Sequence, residues 1–142
     1  MIAHSPLIVG KTARAVEARA LTGATASAKK KRRKMIRLAL RDGKVCHWCG
    51  RHVVFQWEAK NRRQRRRQAT FDHVITKQAG GSFSVDNGVL ACKRCNNVRG
   101  NRKYEDFKVL LKEKGIKQLA KEFYQATKNC LTSDHKHKTM VS

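Results

Sequence analysis

Two Cys-x-x-Cys pairs, Cys46/Cys49 and Cys92/Cys95, set the strongest constraint on what this chain can fold into. A Cys-x-x-Cys on a tight turn offers two thiolates on one side. Zinc takes four such soft ligands in a tetrahedron, with sulfur at about 2.3 Å. With 42 residues between the pairs, a shared ion would staple the start of the domain to the region around Ala91. That staple matters because few large apolar residues lie between Val45 and Val98, so the core is thin. Met1 to Gly10 has a short apolar patch without the basic lead-in and apolar stretch of a signal peptide. In a reducing compartment the pattern favours metal over disulfides. A redox role would make one of the two pairs redundant. A filled tetrahedron leaves no open position, so the ion is read as structural. His47 and His52 are bystanders on this reading, and Cys130 lies outside both pairs.

The chain carries 33 Lys or Arg against 10 Asp or Glu, a formal charge of +23 on 142 residues. A charge of that size opposes compaction and attracts polyanions, which makes nucleic acid or an anionic membrane surface the expected partner. No apolar stretch approaches the roughly 20 residues needed to span a bilayer, so a cytoplasmic nucleic-acid-binding protein is expected. The charge gathers in two runs. One is Lys29, Lys30, Lys31, Arg32, Arg33 and Lys34; the other holds Arg62, Arg63, Arg65, Arg66 and Arg67. Both are read as phosphate contacts, which position a backbone without reading its sequence.

The length fits one domain with tails: a flexible basic arm over 1–28, the domain over 29–128, and a polar tail over 129–142. Met35, Ile36, Ala39 and Leu40 predict one face of a helix ending near Gly43. A short strand is expected over Val53 to Gln56. Two more, Ala69 to Ile75 and Gly88 to Ala91, flank a Gly80-Gly81 turn, and a helix follows from Lys93 to about Lys103. Two amphipathic helices close the fold, one burying Phe107, Leu110 and Leu111. The other, after Gly115, buries Ile116, Leu119, Phe123 and Tyr124. Trp48 and Trp57 are read as packing residues.

Inside and just after the cysteine pairs run Phe71-Asp72-His73-Val74-Ile75, Gly80-Gly81, and Asp86-Asn87-Gly88-Val89-Leu90-Ala91-Cys92-Lys93-Arg94-Cys95-Asn96. This order resembles the HNH endonuclease family, in its subgroup with two Cys-x-x-Cys pairs. The resemblance implies an α+β fold: a small ββα-metal domain with structural zinc, flanked by helices and the basic arm. It also implies a hydrolase cutting phosphodiester bonds of DNA, with RNA left open. His73 would be the general base, Asp72 and Asn96 the ligands of a catalytic magnesium or manganese ion, and Asn87 the brace of the inter-strand loop. Asn96 stands where the third motif residue is often His, the HNN variant. Thr76 stands where the family often has Pro. Small free-standing proteins of this type resemble phage-encoded or homing enzymes, some acting in DNA packaging, as monomers or weak dimers.

The chemistry is coherent in its own terms. Hydrolysis needs an activated water, and a neutral imidazole is well placed to take its proton near pH 7. A carboxylate and an amide oxygen are hard ligands that suit magnesium. Adjacent strand residues point to opposite faces, so Asp72 and His73 can serve one site only if the strand ends or bulges there. Arg99 and Arg102, one to two turns beyond Asn96, are read as further phosphate contacts. The rival reading is a non-catalytic zinc-containing nucleic-acid-binding protein, which has no need of Asp72, His73, Asn87 and Asn96 in this order.

Overall fold

The computed structural model describes residues 17–18 and 20–138, with side chains as far as residue 131. The first sixteen residues of the expected arm lie outside this range. So do 139–142 and the side chains of the polar tail from 132 onward.

Helix α1, Ala26–Asp42, starts where the Thr25 hydroxyl accepts the Ala28 N–H, and it stops at Gly43. Its inward face carries Met35, Ile36 and Leu38. Leu40, expected on that face, is instead 57% exposed. A knuckle follows. The Gly50 N–H closes a turn on the Cys46 carbonyl, and single bridges pair Val45 with His52 and Val54 with Gln68. These bridges stand where a strand was expected over 53–56. The basic run is a short helix, α2 (Arg62–Arg66), opened by the Asn61 side chain accepting the Gln64 N–H.

Strands β1 (Ala69–His73) and β2 (Gly88–Cys92) form a two-stranded antiparallel sheet in regular register, Asp72 opposite Val89 and His73 opposite Gly88. Each strand also bonds backward to the knuckle, through Ala69 N–H to Val54 O and His47 N–H to Leu90 O. Helix α3, Lys93–Arg99, begins directly from β2 and ends at Gly100, short of the expected Lys103. Helix α4 runs over Tyr104–Lys138, broken at Gly115, whose φ of 75° lies in the left-handed region that glycine alone enters at little cost. It stays helical well into the stretch expected to be an irregular tail.

Two apolar clusters result. The larger gathers Met35, Ile36 and Leu38 of α1 with Val53, Phe55, Phe71 and Leu90. The smaller joins Val98 of α3 to Phe107, Leu119 and Ala120 of α4. Trp48 packs against both, which links the knuckle to the C-terminal helix. Among the described residues no helix is long and apolar enough to cross a membrane.

Candidate nucleic-acid cleavage site

The four cysteines of the two pairs come together as their spacing predicts. The knuckle turn supplies Cys46 and Cys49, the end of β2 supplies Cys92, and the first turn of α3 supplies Cys95. All four sulfurs lie within 4.8 Å of one another. A tetrahedral ion with Zn–S of about 2.3 Å spaces its ligands at about 3.8 Å, so the donor set fits zinc without rearrangement of the chain. Hydrogen bonding from Cys46 and Cys95 pushes the Cys92 thiol down to about 3, the thiolate form a metal needs. His47 takes no part; its Nε2 lies 2.6 Å from the Tyr104 hydroxyl.

Behind His73 the loop to β2 is tied by Asn87. The Asn87 Oδ1 accepts the Ile75 N–H at 2.8 Å, and its Nδ2 donates to the carbonyls of Ile75 and Ser82 at 3.0 and 2.9 Å. The Gly80-Gly81 turn serves the same closure, since a Cβ on Gly81 would sit 1.8 Å from the Ile75 carbonyl oxygen. Asn87 thus ties Ile75 to Ser82 across this loop.

His73 and Asp72 diverge. The register has no bulge, so His73 faces the α1 side with Phe71, and Asp72 faces α3. On the His73 side, Phe71 meets the imidazole edge-on at 4.8 Å and Phe83 stacks beside it at 5.8 Å. Lys34 bonds the Phe83 carbonyl and lies over the Phe83 ring at 4.0 Å, which holds that ring in place. A cleft of about 410 Å³ opens here, lined by Ser27, Lys30, Lys31, Lys77 and the three rings. The His73 Nε2 is buried and, among the described residues, without a hydrogen-bond partner. Burial, reinforced by the charges of Lys77, Arg99 and Lys34 against that of Asp72, holds His73 below the usual imidazole value. Four lysines, Lys30, Lys31, Lys34 and Lys77, lie around it.

On the other side, Asp72 is 4% exposed and both its oxygens are engaged. Oδ1 pairs with Arg99 Nη1 at 2.6 Å and Oδ2 accepts the Trp48 indole N–H at 2.6 Å. Burial pushes the Asp72 carboxyl up, while the indole and the guanidinium pull it back. Asn96 lies on the same face, its Nδ2 donating to the Thr70 hydroxyl at 2.9 Å.

Arg99 is the correction. Expected as a phosphate contact, it is 0% exposed. Besides Asp72 it bonds the carbonyls of His73 (2.5 Å), Val74 (2.9 Å) and Arg102 (3.1 Å). Four of its five N–H donors are therefore spent inside the protein, and none of those four can reach a phosphate. Arg102 turns back in the same way, donating to the Val98 carbonyl at 2.6 Å.

The two basic runs also divide. In the first, Lys30 and Lys31 reach the His73 cleft, Lys34 and Arg32 turn inward, and Arg33 pairs with Glu17 at 3.4 Å. Arg32 bonds the Ala20 carbonyl and sits over Trp57. Lys29 is half-buried. In the second run, all five arginines line a separate groove. The residues that sequence reasoning missed are Lys77, Phe83 and Ser27 around His73, and Trp48 on Asp72. Only Lys77, a cation four residues beyond His73, carried a signal that could have been read.

The donors on the Asp72 face do not fit a divalent ion as they stand. The one carboxylate is closed off by a guanidinium, and a second cation beside Arg99 would meet its repulsion.

Residues 46–102 match the family described as HNH endonuclease. No curated protein and no solved structure matches the chain.

Proposed function

We propose, from an HNH endonuclease domain at residues 46–102, that the chain hydrolyses phosphodiester bonds of DNA with His73 as proton acceptor and a structural zinc on its four paired cysteines. One observation carries the reading: His73, whose buried Nε2 has no hydrogen-bond partner among the described residues, lines a cleft whose other polar groups are Lys30, Lys31, Lys77 and Ser27. Three ammonium groups suit a phosphate, and the lone pair of Nε2 suits the proton of a water beside it. In the proposed step Nε2 takes that proton as the water oxygen bonds to phosphorus. The P–O bond to the leaving oxygen breaks, that oxygen keeps the bonding pair and takes a proton from solvent, and the lysines balance the charge on the remaining phosphate oxygens. Asn87 contributes by fixing the loop that follows His73.

Dependence on magnesium or manganese is proposed on the family match alone. Supercoiled plasmid incubated with magnesium, manganese or EDTA tests both points, with zinc content measured after EDTA treatment. Nicking or linearisation is expected with an added ion, falling at least about a hundredfold in His73→Ala, the usual scale for loss of a general base. A His73→Ala protein that cuts as well as wild type would sink the enzyme reading. The rival, a binding module, is favoured by one observation, the closed Asp72–Arg99 pair.

The pH profile follows from the lowered His73. The ordinary imidazole value is about 6.5, and the folded protein binds this proton less readily, so His73 stays neutral to lower pH. Log kcat/KM is expected to be flat down to about pH 6.5 and to fall only below it. Stability moves the same way: the unfolded chain takes the proton first, so the contribution present above about 6.5 is lost as pH falls. The charged groups acting on His73 are Lys30, Lys31, Lys34 and Lys77 on its own face and Asp72 and Arg99 across the strand. An acidic limb centred above pH 7 would contradict this assignment.

A further inference from the structure

A second cationic surface shares no residue with the His73 cleft. It is a groove of about 1160 Å³ between α2, the start of α3 and the second arm of α4. Its lining holds eleven Lys or Arg and no acidic residue. One wall is α2, none of whose residues is buried in the core. The facing wall is a stripe on α4, Lys117, Lys121, Tyr124 and Lys128, at i, i+4, i+7 and i+11, which is one face of a helix. Leu119 and Phe123 turn the opposite way, into the core. Lys93 and Arg94 form the floor. Neither wall is explained by packing, because like charges facing across a groove repel and lower stability unless something anionic lies between them.

We infer that this groove is a second nucleic-acid seat, holding one phosphodiester backbone of the substrate away from the bond that is cut. The proposal rests on the nuclease reading for the identity of the substrate, but its binding chemistry does not depend on catalysis. Scale supports it. The α4 stripe from 117 to 128 is about 17 Å long. One backbone of duplex DNA presents about five phosphate charges over that length of axis, which the eleven cations of the lining are enough to meet. The stripe also lies beyond the residues that match the family, 46–102, so this chain adds a grip to the cutting unit. The Tyr124 ring, 45% exposed among the lysines, offers a flat face to a sugar or a base at the rim.

The test uses the full chain carrying His73→Ala, so that binding is measured without turnover. A labelled duplex is titrated at several salt concentrations. One variant carries Lys117→Gln, Lys121→Gln and Lys128→Gln. A second loses the same charge outside the groove, through Lys103→Gln, Lys108→Gln and Lys112→Gln. Each phosphate contact contributes about 0.9 to the log–log salt slope, so the groove variant is expected to be shallower by about 2.7 and weaker by on the order of a hundredfold. The control is expected to change by a small fraction of that. Equal losses in the two variants would overturn the proposal, as pure net charge would then explain binding. Equally tight binding of poly-glutamate would overturn it too, by marking a general acid-binding face. If the groove variant alone loses affinity while the wild-type chain cuts no plasmid, the seat stands and the nuclease reading falls.

Discussion

Stripping the metal from the four cysteines, or replacing Cys92 with serine, is expected to unfold the domain and not merely to loosen it. The sulfurs come from the knuckle, from the end of β2 and from the first turn of α3, so one ion would tie these three parts together. Cys92 has two tasks, since its sulfur also accepts the Cys95 N–H at 3.4 Å and so caps α3. Structural zinc contributes about 10–16 kcal/mol of apparent binding energy in small zinc peptides. A whole domain is stable by only about 5–15 kcal/mol. Loss of the ion also leaves four sulfur groups crowded within 4.8 Å, with Cys92 ionised. Thermal melts followed by far-ultraviolet circular dichroism, with and without a strong chelator, read the effect directly. A chelated protein keeping its melting temperature would show that the apolar clusters suffice alone.

Replacing Arg99 with methionine is expected to cost about 3–5 kcal/mol, the usual penalty for leaving a buried charge without its partner. Methionine matches much of the volume and removes every donor. Asp72 would keep only the Trp48 indole, and the carbonyls of His73, Val74 and Arg102 would lose theirs. A second substitution, Asp72→Leu on top of Arg99→Met, is expected to recover part of the loss, because replacing both members of a buried pair with apolar groups is often nearly neutral. Chemical denaturation of the two single variants and the double closes the cycle. Additive losses would show that the two residues act independently and that their 2.6 Å contact carries no coupling.

Much of this was legible in the sequence because local rules governed it. The cysteine pairs, the Gly80-Gly81 turn and the alternation over 69–73 each depend on neighbours within a few residues. The structure has the mixed helix and two-stranded sheet that they predict. Alternation also warned that Asp72 and His73 could share a site only across a bulge, and the regular register has none. What was not legible depends on distant contacts. Arg99 is 27 positions from Asp72, and on a polar, basic chain nothing marks one arginine among many as the buried one. Leu40 shows the reverse: its spacing suits the inward face, yet α1 turns Leu38 inward instead. The persistence of α4 to Lys138 escaped notice because a polar, lysine-rich stretch reads as a tail whether or not it is helical.

The two backward bonds from the sheet, Ala69 to Val54 and His47 to Leu90, have a consequence for handling the protein. A two-stranded hairpin has only edges, and exposed strand edges recruit other chains. Here the knuckle covers part of each edge, and an ion on the four cysteines would hold the knuckle in position. Such a metal would therefore also guard against aggregation: demetallated protein should precipitate or form strand-paired oligomers in preference to remaining a dispersed unfolded chain.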